Sequence, residues 1–201
     1  MIIVGNKIRL IPAQETDRKK IYNWLCKSDL TSSIMGPPKY PEHPIPTWAE
    51  FCNEYPLSFF NASGDGKGRV FIIMANDNEV GTIGYDLLNK EKDRAILDIW
   101  MKAEQYCGHG YGSDALNALS VYIYENYRVT NFLISPSERN KRAVAAYKKA
   151  GFKYVKNMDK KEQEKEFGLA EYNDNILMIK RLITNQSTGP DSAPNGASSG
   201  R

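Results

Sequence analysis

Three glycines at alternate positions, Gly108, Gly110 and Gly112, stand directly before a helix-like run in "YCGHGYGSDALNAL". Glycine is needed where φ must be positive or where a ligand or another backbone comes very close. At a helix start such residues expose successive N–H groups at the positive end of the dipole, which is an anion site. Two familiar phosphate loops do not fit. No Lys-Ser/Thr pair closes the run, and the spacing is GxGxG rather than GxGxxG. A second glycine-rich stretch, "SGDGKGR" at 63–69, has no Ser/Thr after its lysine and no helix behind it, so it reads as a connection. Just upstream of the first loop, "AILDIWM" has the look of a strand. With period two, Ile96, Asp98 and Trp100 share one face while Leu97, Ile99 and Met101 share the other. A carboxylate between Ile and Trp in mid-strand needs a partner or a wet cleft. Asp98 is therefore either a site residue or half of a salt bridge, with Lys102 or Arg94 as its partner.

Downstream lies "NKRAVAAYKKAGF", residues 140–152. Together with the glycine loop, about 30 residues before it, this resembles the GCN5-related N-acetyltransferase (GNAT) family, whose members transfer an acetyl group from acetyl-CoA to an amine. The resemblance implies a GNAT fold over roughly residues 6–183, acetyl-CoA as co-substrate, and direct transfer in a ternary complex. It also implies that the loop of Cys107, Gly108, His109, Gly110, Tyr111 and Gly112 holds the CoA pyrophosphate. Cys107 departs from the family, which usually has Arg or Gln there. The cradle is mostly backbone, so binding should survive with some loss of affinity. Similar proteins use an asparagine at the place of Asn140 to bond the pantetheine arm, and a tyrosine at the place of Tyr147 to protonate the departing thiolate. A well-placed phenol is a feasible acid for that step. The alternative is that Asn140 is only an N-cap and Tyr147 only a core aromatic. In this family the strand equivalent to "AILDIWM" splays from the next one. N–H groups near Ile99 to Met101 would then polarise the thioester carbonyl, and Asp98 would take a proton from the incoming ammonium or simply anchor it.

Within the family, "IRLIPAQETDRKKIYNWL", "LDIWM" and "SPSERNKRAVAAYKKAGF" look like the aminoglycoside 6′-N-acetyltransferases. In that alignment Asp98 falls on an acidic residue proposed to handle the substrate amine. A polycationic acceptor requires a pocket rich in carboxylates. Asp86, Glu171 and Asp174, near the ends of expected strands, are the candidates beside Asp98, and Trp48 is an aromatic candidate to face the acceptor. Two departures stand against this subfamily. "SSIMGPPKYPEHP" replaces an aromatic-acidic cluster, and the charged stretch around 159–166 reads as an insertion. An acetyltransferase of protein N-termini, of the ribosomal-protein type, is the alternative within enzymes and would need an open groove for a peptide. A non-catalytic acyl-CoA-binding module would keep the glycine loop and lose the acid, yet Tyr147 is present. Nucleic-acid binding through the basic residues of 139–153 is disfavoured by a net charge of only +3.

The elements that must position these residues follow from pattern and punctuation. "KIRLIP" alternates as a strand. Thr16 to Lys27 forms a helix with Ile21, Trp24 and Leu25 on one side, capped by Thr16 or Asp17. The proline-dense "MGPPKYPEHPIP" breaks regular structure and has the character of a lid or binding wall. "TWAEFCNEY" opens with Thr47 and Glu50 at capping-box spacing. "RVFIIMA" and "EVGTIGYDLL" flank "NDN" as a hairpin. After "AILDIWM" come a helix over Ser113–Asn126 with a Leu116, Leu119, Ile123, Tyr127 stripe, the strand "VTNFLIS", and a helix from Asn140 ending at Gly151. "FKYV" and "NILMIKRL" supply the last strands. The expected order is β-α-α-β-β-β-α-β-α-β-β, an α+β plan around a mixed, mostly antiparallel sheet.

One domain over residues 1–183 and a disordered tail over 184–201, poor in aliphatic and aromatic residues, are expected. Three cysteines without CxxC spacing, no signal-like start and no membrane-length apolar run suit a reduced cytoplasmic protein. His43 and His109 read as lone loop histidines, so no metal site is expected. Direct transfer needs no acetyl-enzyme on Cys107. The expected partners are a small, polycationic amine substrate and, at most, a second copy of the chain.

Overall fold

Asn76 and Asp77 both take positive φ, 47° and 61°, the mirror-image turn that matches strand twist and that Asn and Asp tolerate. This turn joins β3 (Gly68–Ala75) to β4 (Asn78–Leu88), the expected hairpin. The computed structural model describes residues 1–35, 45–61, 67–88, 93–155, 159, 161–163 and 175–182. Around the hairpin stand β1 (Ile3–Val4), β2 (Arg9–Pro12), β5 (Arg94–Met101), β6 (Asn131–Ile134), β7 (Lys153–Tyr154) and β8 (Met178–Arg181). The eight-stranded sheet runs β1-β2-β3-β4-β5-β6-β8-β7, with β5–β6 parallel and its other neighbours antiparallel. The fold is the α+β plan of a mixed sheet between helices.

Strand alternation divides the core in two. Phe71, Ile73, Ile83 and Leu97 point to one face, where α4 (Tyr111–Tyr127) and α5 (Lys141–Lys149) cover them with Leu116, Leu119, Ile123 and Val144. Val70, Ile72 and Trp100 point to the other, under α1 (Arg18–Cys26) and α3 (Trp48–Glu54), which contribute Ile21, Trp24, Leu25 and Phe51. Each buried Leu of α4 contributes about 2–5 kcal/mol against truncation to Ala. The Thr47–Glu50 capping box forms as expected, with Glu50 N–H donating to Thr47 Oγ1 and Thr47 N–H to Glu50 Oε2. It contributes about 1 kcal/mol.

Four details depart from pattern. β1 is too short to show periodicity; it pairs with β2 across a turn closed by Gly5 N–H to the Ile8 carbonyl. α2 (Thr31–Met35) adds one short helix, begun by Ser28 N–H donating to Thr31 Oγ1. Asp17 does not cap α1 through its side chain. It caps the preceding 3-10 turn instead, accepting from Gln14 N–H. Finally, α4 starts at Tyr111 because Gly110 is itself the N-cap. Residues 36–44 with His43, positions 160 and 164–166 of the charged stretch, Glu171, Asp174 and the 184–201 tail lie outside the described residues. Among the described residues, no helix is long and apolar enough to cross a membrane.

Candidate active site

β5 and β6 stay paired only from Arg94–Asn131 to Ile96–Leu133, after which Leu97–Met101 continues without a β6 partner. Lys102 N–H donates to the Val80 carbonyl, in the same unbroken register that pairs β5 with β4. Even-numbered N–H groups of β5 therefore face β4, and those of Leu97, Ile99 and Met101 face the opened edge. A cleft of about 600 Å³ occupies this opening. Its walls are β5, the glycine loop, the segment from Ser135 to Tyr147, and Tyr55 and Phe59 from the far side of the sheet.

The glycine loop has the geometry its sequence suggested. Gly108 and Gly110 take φ of +80° and +85°, a region other L residues enter only with strain. The first bond inside α4 runs from Asp114 N–H to the Gly110 carbonyl, so the amides of Tyr111, Gly112 and Ser113 are the orphan donors of the helix start. Gly112 is different. A Cβ there would lie 3.6 Å from Ile99 Cδ1 and 4.0 Å from Met101 Sδ, on the cleft wall. Helix-start donors, an open strand edge and a wall thinned by glycine together fit a long thioester donor carrying a pyrophosphate. Asp114 fixes the base of the loop by accepting from the Asn6 and Lys7 N–H groups, at 3.1 and 2.6 Å.

Asn140 lines the cleft and caps α5, its Oδ1 accepting from Ala143 N–H at 3.1 Å. The N-cap reading of this residue therefore holds, and its place on the cleft wall keeps it within reach of a bound ligand. Tyr147 is buried against the core and also lines the cleft. Burial, and secondarily the Asp98 carboxylate, push its phenol above the usual value. Asp98 faces the same space. Desolvation raises its carboxyl above the usual aspartate range, and hydrogen bonds from the Tyr55 hydroxyl and the Ile99 N–H pull it back. Neither Lys102 nor Arg94 pairs with it. The arrangement holds a proton acceptor, a protonated phenol and strand N–H groups around one opening.

Of the remaining expected residues, Ile99, Met101, Cys107, Tyr111 and Asp86 all line the cleft. Burial pushes the Cys107 thiol up, away from the reactive thiolate. Two residues do not line it. His109 stacks on Tyr111 with centroids 5.4 Å apart, and its Nε2 lies 3.1 Å from the Gln105 carbonyl. Trp48 is taken up by packing: it meets Tyr22 and Phe51, with Lys19 Nζ 4.1 Å from its ring centroid. An exposed-looking aromatic after a loop gave no means of telling these surroundings apart. The sequence reading also missed Tyr55, Glu54 and Asn175, which line the cleft. Both polar atoms of the Asn175 carboxamide, and Trp100 Nε1 on β5, are buried without a hydrogen-bond partner among the described residues. Such groups are normally satisfied, and no spacing rule would have singled them out.

Residues 7–153 match the acetyltransferase (GNAT) domain family. No curated protein matches the chain. Among solved structures, RimL, the ribosomal L7/L12 alpha-N-protein acetyltransferase in complex with coenzyme A, aligns with TM-score 0.67 and 16% identity, over 90% of this chain and 98% of that one. AAC(6′)-Ib in complex with paromomycin and acetyl-CoA aligns at 0.63 and 20%, over 88% and 94%. A Vibrio cholerae spermidine N-acetyltransferase with CoA and spermine gives 0.64 and 17%, over 88% and 96%. Identities this low show a shared fold and do not choose among three acceptors. The family match spans the open strand edge, the glycine loop and both helices behind it, and the chain belongs to the GNAT family of acetyl-CoA-dependent N-acetyltransferases.

Proposed function

We propose that the acceptor is a small, cationic, oxygen-rich amine, and specifically an aminoglycoside 6′-amine. The observation that carries this reading is the chemistry of the cleft wall. Glu54, Asp86 and Asp98 supply carboxylates for a polycation. Trp100 Nε1 and the Asn175 carboxamide, on residues of the same wall, are buried polar groups without partners among the described residues, which suits hydroxyl and ring oxygens better than a bare hydrocarbon amine.

In the proposed mechanism acetyl-CoA supplies the thioester, and the chain's own groups orient and protonate. The amides of the Gly108–Gly112 loop hold the pyrophosphate. Asn140, whose Oδ1 is committed to the helix, offers Nδ2 to a pantetheine carbonyl. Asp98 takes a proton from the acceptor's ammonium, so that a neutral amine attacks the thioester carbon. As the C–N bond forms, the Met101 N–H, with that of Ile99 shared with Asp98, steadies the negative oxygen. The C–S bond then breaks and Tyr147 gives its proton to the leaving thiolate. The surplus proton on nitrogen and the one taken up by Asp98 leave to solvent, from which the phenolate is reprotonated, so that one proton is released per turnover. Burial keeps the phenol protonated at neutral pH, so the proton it gives is in place when the thiolate forms.

The test is thiol release from acetyl-CoA against kanamycin, tobramycin, spermidine and a peptide with a free N-terminus. Release with the aminoglycosides supports the proposal. Release with the peptide alone would make this an N-terminal protein acetyltransferase, and release with spermidine alone a polyamine enzyme; either overturns it.

A further inference from the structure

Tyr55 reaches the site from an unexpected place. It follows the last turn of α3, on the face of the sheet opposite the glycine loop, and its hydroxyl donates to Asp98 Oδ2. The ring has little freedom to do otherwise. It stacks on Phe51 at 4.8 Å and meets Trp100 edge-on at 5.6 Å. Its backbone is held as well: Arg18 Nε donates to the Tyr55 carbonyl at 3.0 Å, and Arg18 Nη2 to that of Cys52 at 2.7 Å. The guanidinium is itself set between the rings of Trp48 and Phe60, at 5.8 and 5.6 Å from their centroids. A cation at the carbonyl end of a helix is favourably placed. Trp48 thus enters the site at third hand, by steadying the arginine that steadies Tyr55.

We propose that Tyr55 is a positioning residue, which fixes one oxygen of the Asp98 carboxylate and leaves the other directed at the acceptor amine. The proposal rests on the reading of Asp98 as the group that meets that amine. Three observations converge on it. The hydroxyl is within hydrogen-bond reach of the carboxylate, the tyrosine lines the same cleft, and its ring and backbone are immobilised by contacts unrelated to the substrate. A donated hydrogen bond favours the ionised carboxylate against the desolvation that opposes it. The titratable groups that interact with Asp98 are Tyr55, just after α3, and Tyr147 from α5, with Glu54, Tyr85, Asp86, Tyr106, Cys107, Tyr111, Arg142 and Lys149 elsewhere along the cleft. Tyr55 is thus the one group from α3 that reaches this carboxylate and stabilises its charge, whereas Tyr147 carries a phenol whose own ionisation Asp98 opposes.

The decisive variant is Tyr55→Phe, which keeps both ring contacts and removes only the hydroxyl. The carboxyl carbon of Asp98 is followed by NMR in the full chain labelled with ¹³C-aspartate, its resonance assigned by loss in Asp98→Asn. No acceptor is needed. The expected result is an Asp98 titration displaced upward by about one pH unit, with the melting temperature close to that of the unmodified chain. An unmoved titration in folded Tyr55→Phe overturns the proposal. Thiol release with the best amine of the panel then separates the two claims. Tyr55→Phe should lower kcat about tenfold, shift the acidic limb of the pH–rate profile upward, leave the KM for acetyl-CoA unchanged, and add no further loss in an Asp98→Asn background. Asp98→Asn at full turnover overturns the reading of Asp98 and this proposal with it. An impaired Asp98→Asn beside a fully active Tyr55→Phe overturns the proposal alone.

Discussion

On one side of the sheet, α4 and α5 cover Ile73, Ile83 and Leu97, and backbone reaches the cleft there through left-handed glycines, helix-start amides and the bare edge of β5, beside the side chains of Asn140 and Tyr147. On the other, α1 and α3 cover Val70, Ile72 and Trp100, and present side chains: Tyr55, Glu54 and the indole of Trp100. On the proposed function, the difference follows from what each side would hold. A pyrophosphate and a thioester are the same in every turnover, and main-chain N–H groups bind them without regard to neighbouring side chains. An acceptor amine differs between enzymes of one fold, so its recognition falls to residues that can change while the sheet stays as it is.

The largest expected effect lies where the two sides meet. On the proposed mechanism, Tyr147→Phe lowers turnover by about 10² or more while acetyl-CoA affinity, read by calorimetry, hardly changes. Wild-type turnover would remove the phenol from proton transfer and leave it as a core aromatic. Asp98→Asn comes next, with turnover reduced about 10- to 100-fold and an opposite effect on stability. The folded carboxyl has its pKa raised by burial above the ordinary value of 3.8. The folded state therefore binds more protons than the unfolded one just above that value, and stability falls as pH rises through the window between the two pKa values. At neutral pH the burial of this carboxyl is a cost that asparagine removes. Thermal melts should show Asp98→Asn more stable than the unmodified chain at pH 7, with the advantage gone below pH 4; a less stable variant at pH 7 would contradict the desolvated site.

The glycines offer a finer contrast on the donor side alone. Gly110→Ala meets little crowding, its nearest neighbour being Lys7 Nζ at 3.7 Å, but must hold φ at +85°. It should destabilise the chain by about 1 kcal/mol or more. Gly112→Ala carries no such strain, and its methyl would stand beside Ile99 and Met101 on the cleft wall. That variant should melt normally and bind acetyl-CoA about tenfold more weakly. Equal losses of stability in the two would mean that the wall, rather than the backbone angle, decides both.

What could be read from the sequence divides along the same line. Gly108 and Gly110 announce themselves because positive φ leaves a residue-type signature. The Asn76-Asp77 turn and the Thr47–Glu50 box do so too, since each is a local rule between residues close in sequence. Asp98 was visible as a charge out of place in an apolar strand. Tyr55 had no such mark. Its role depends on α3 crossing to β5, a juxtaposition of residues 43 positions apart. Arg18, Trp48 and Asn175 are hidden for the same reason: Trp48, expected to face the acceptor, is half-buried in packing against Tyr22, Phe51 and Arg18. Side chains that work through long-range contact carry no spacing for a sequence to show.

The smallest effect concerns a group that neither side uses. Lys180 on β8 is 8% exposed, and its Nζ donates to Asn117 Oδ1 at 2.7 Å, with no carboxylate paired to it among the described residues. Desolvation lowers its pKa below the ordinary 10.5. The unfolded chain then binds more protons between the folded pKa and 10.5, so this lysine makes stability rise with pH across that window. Lys180→Met keeps the length of the stem, removes the buried charge and leaves Asn117, which is exposed, to water. It should raise the neutral-pH stability by about 1 kcal/mol, roughly 3 °C in melting temperature, and flatten the alkaline rise, with turnover unaltered because Lys180 is not part of the cleft. If Lys180→Met lowers the melting temperature instead, the Asn117 bond contributes more than the buried ammonium costs. The sheet's outer strands would then be held by a polar contact rather than strained by one.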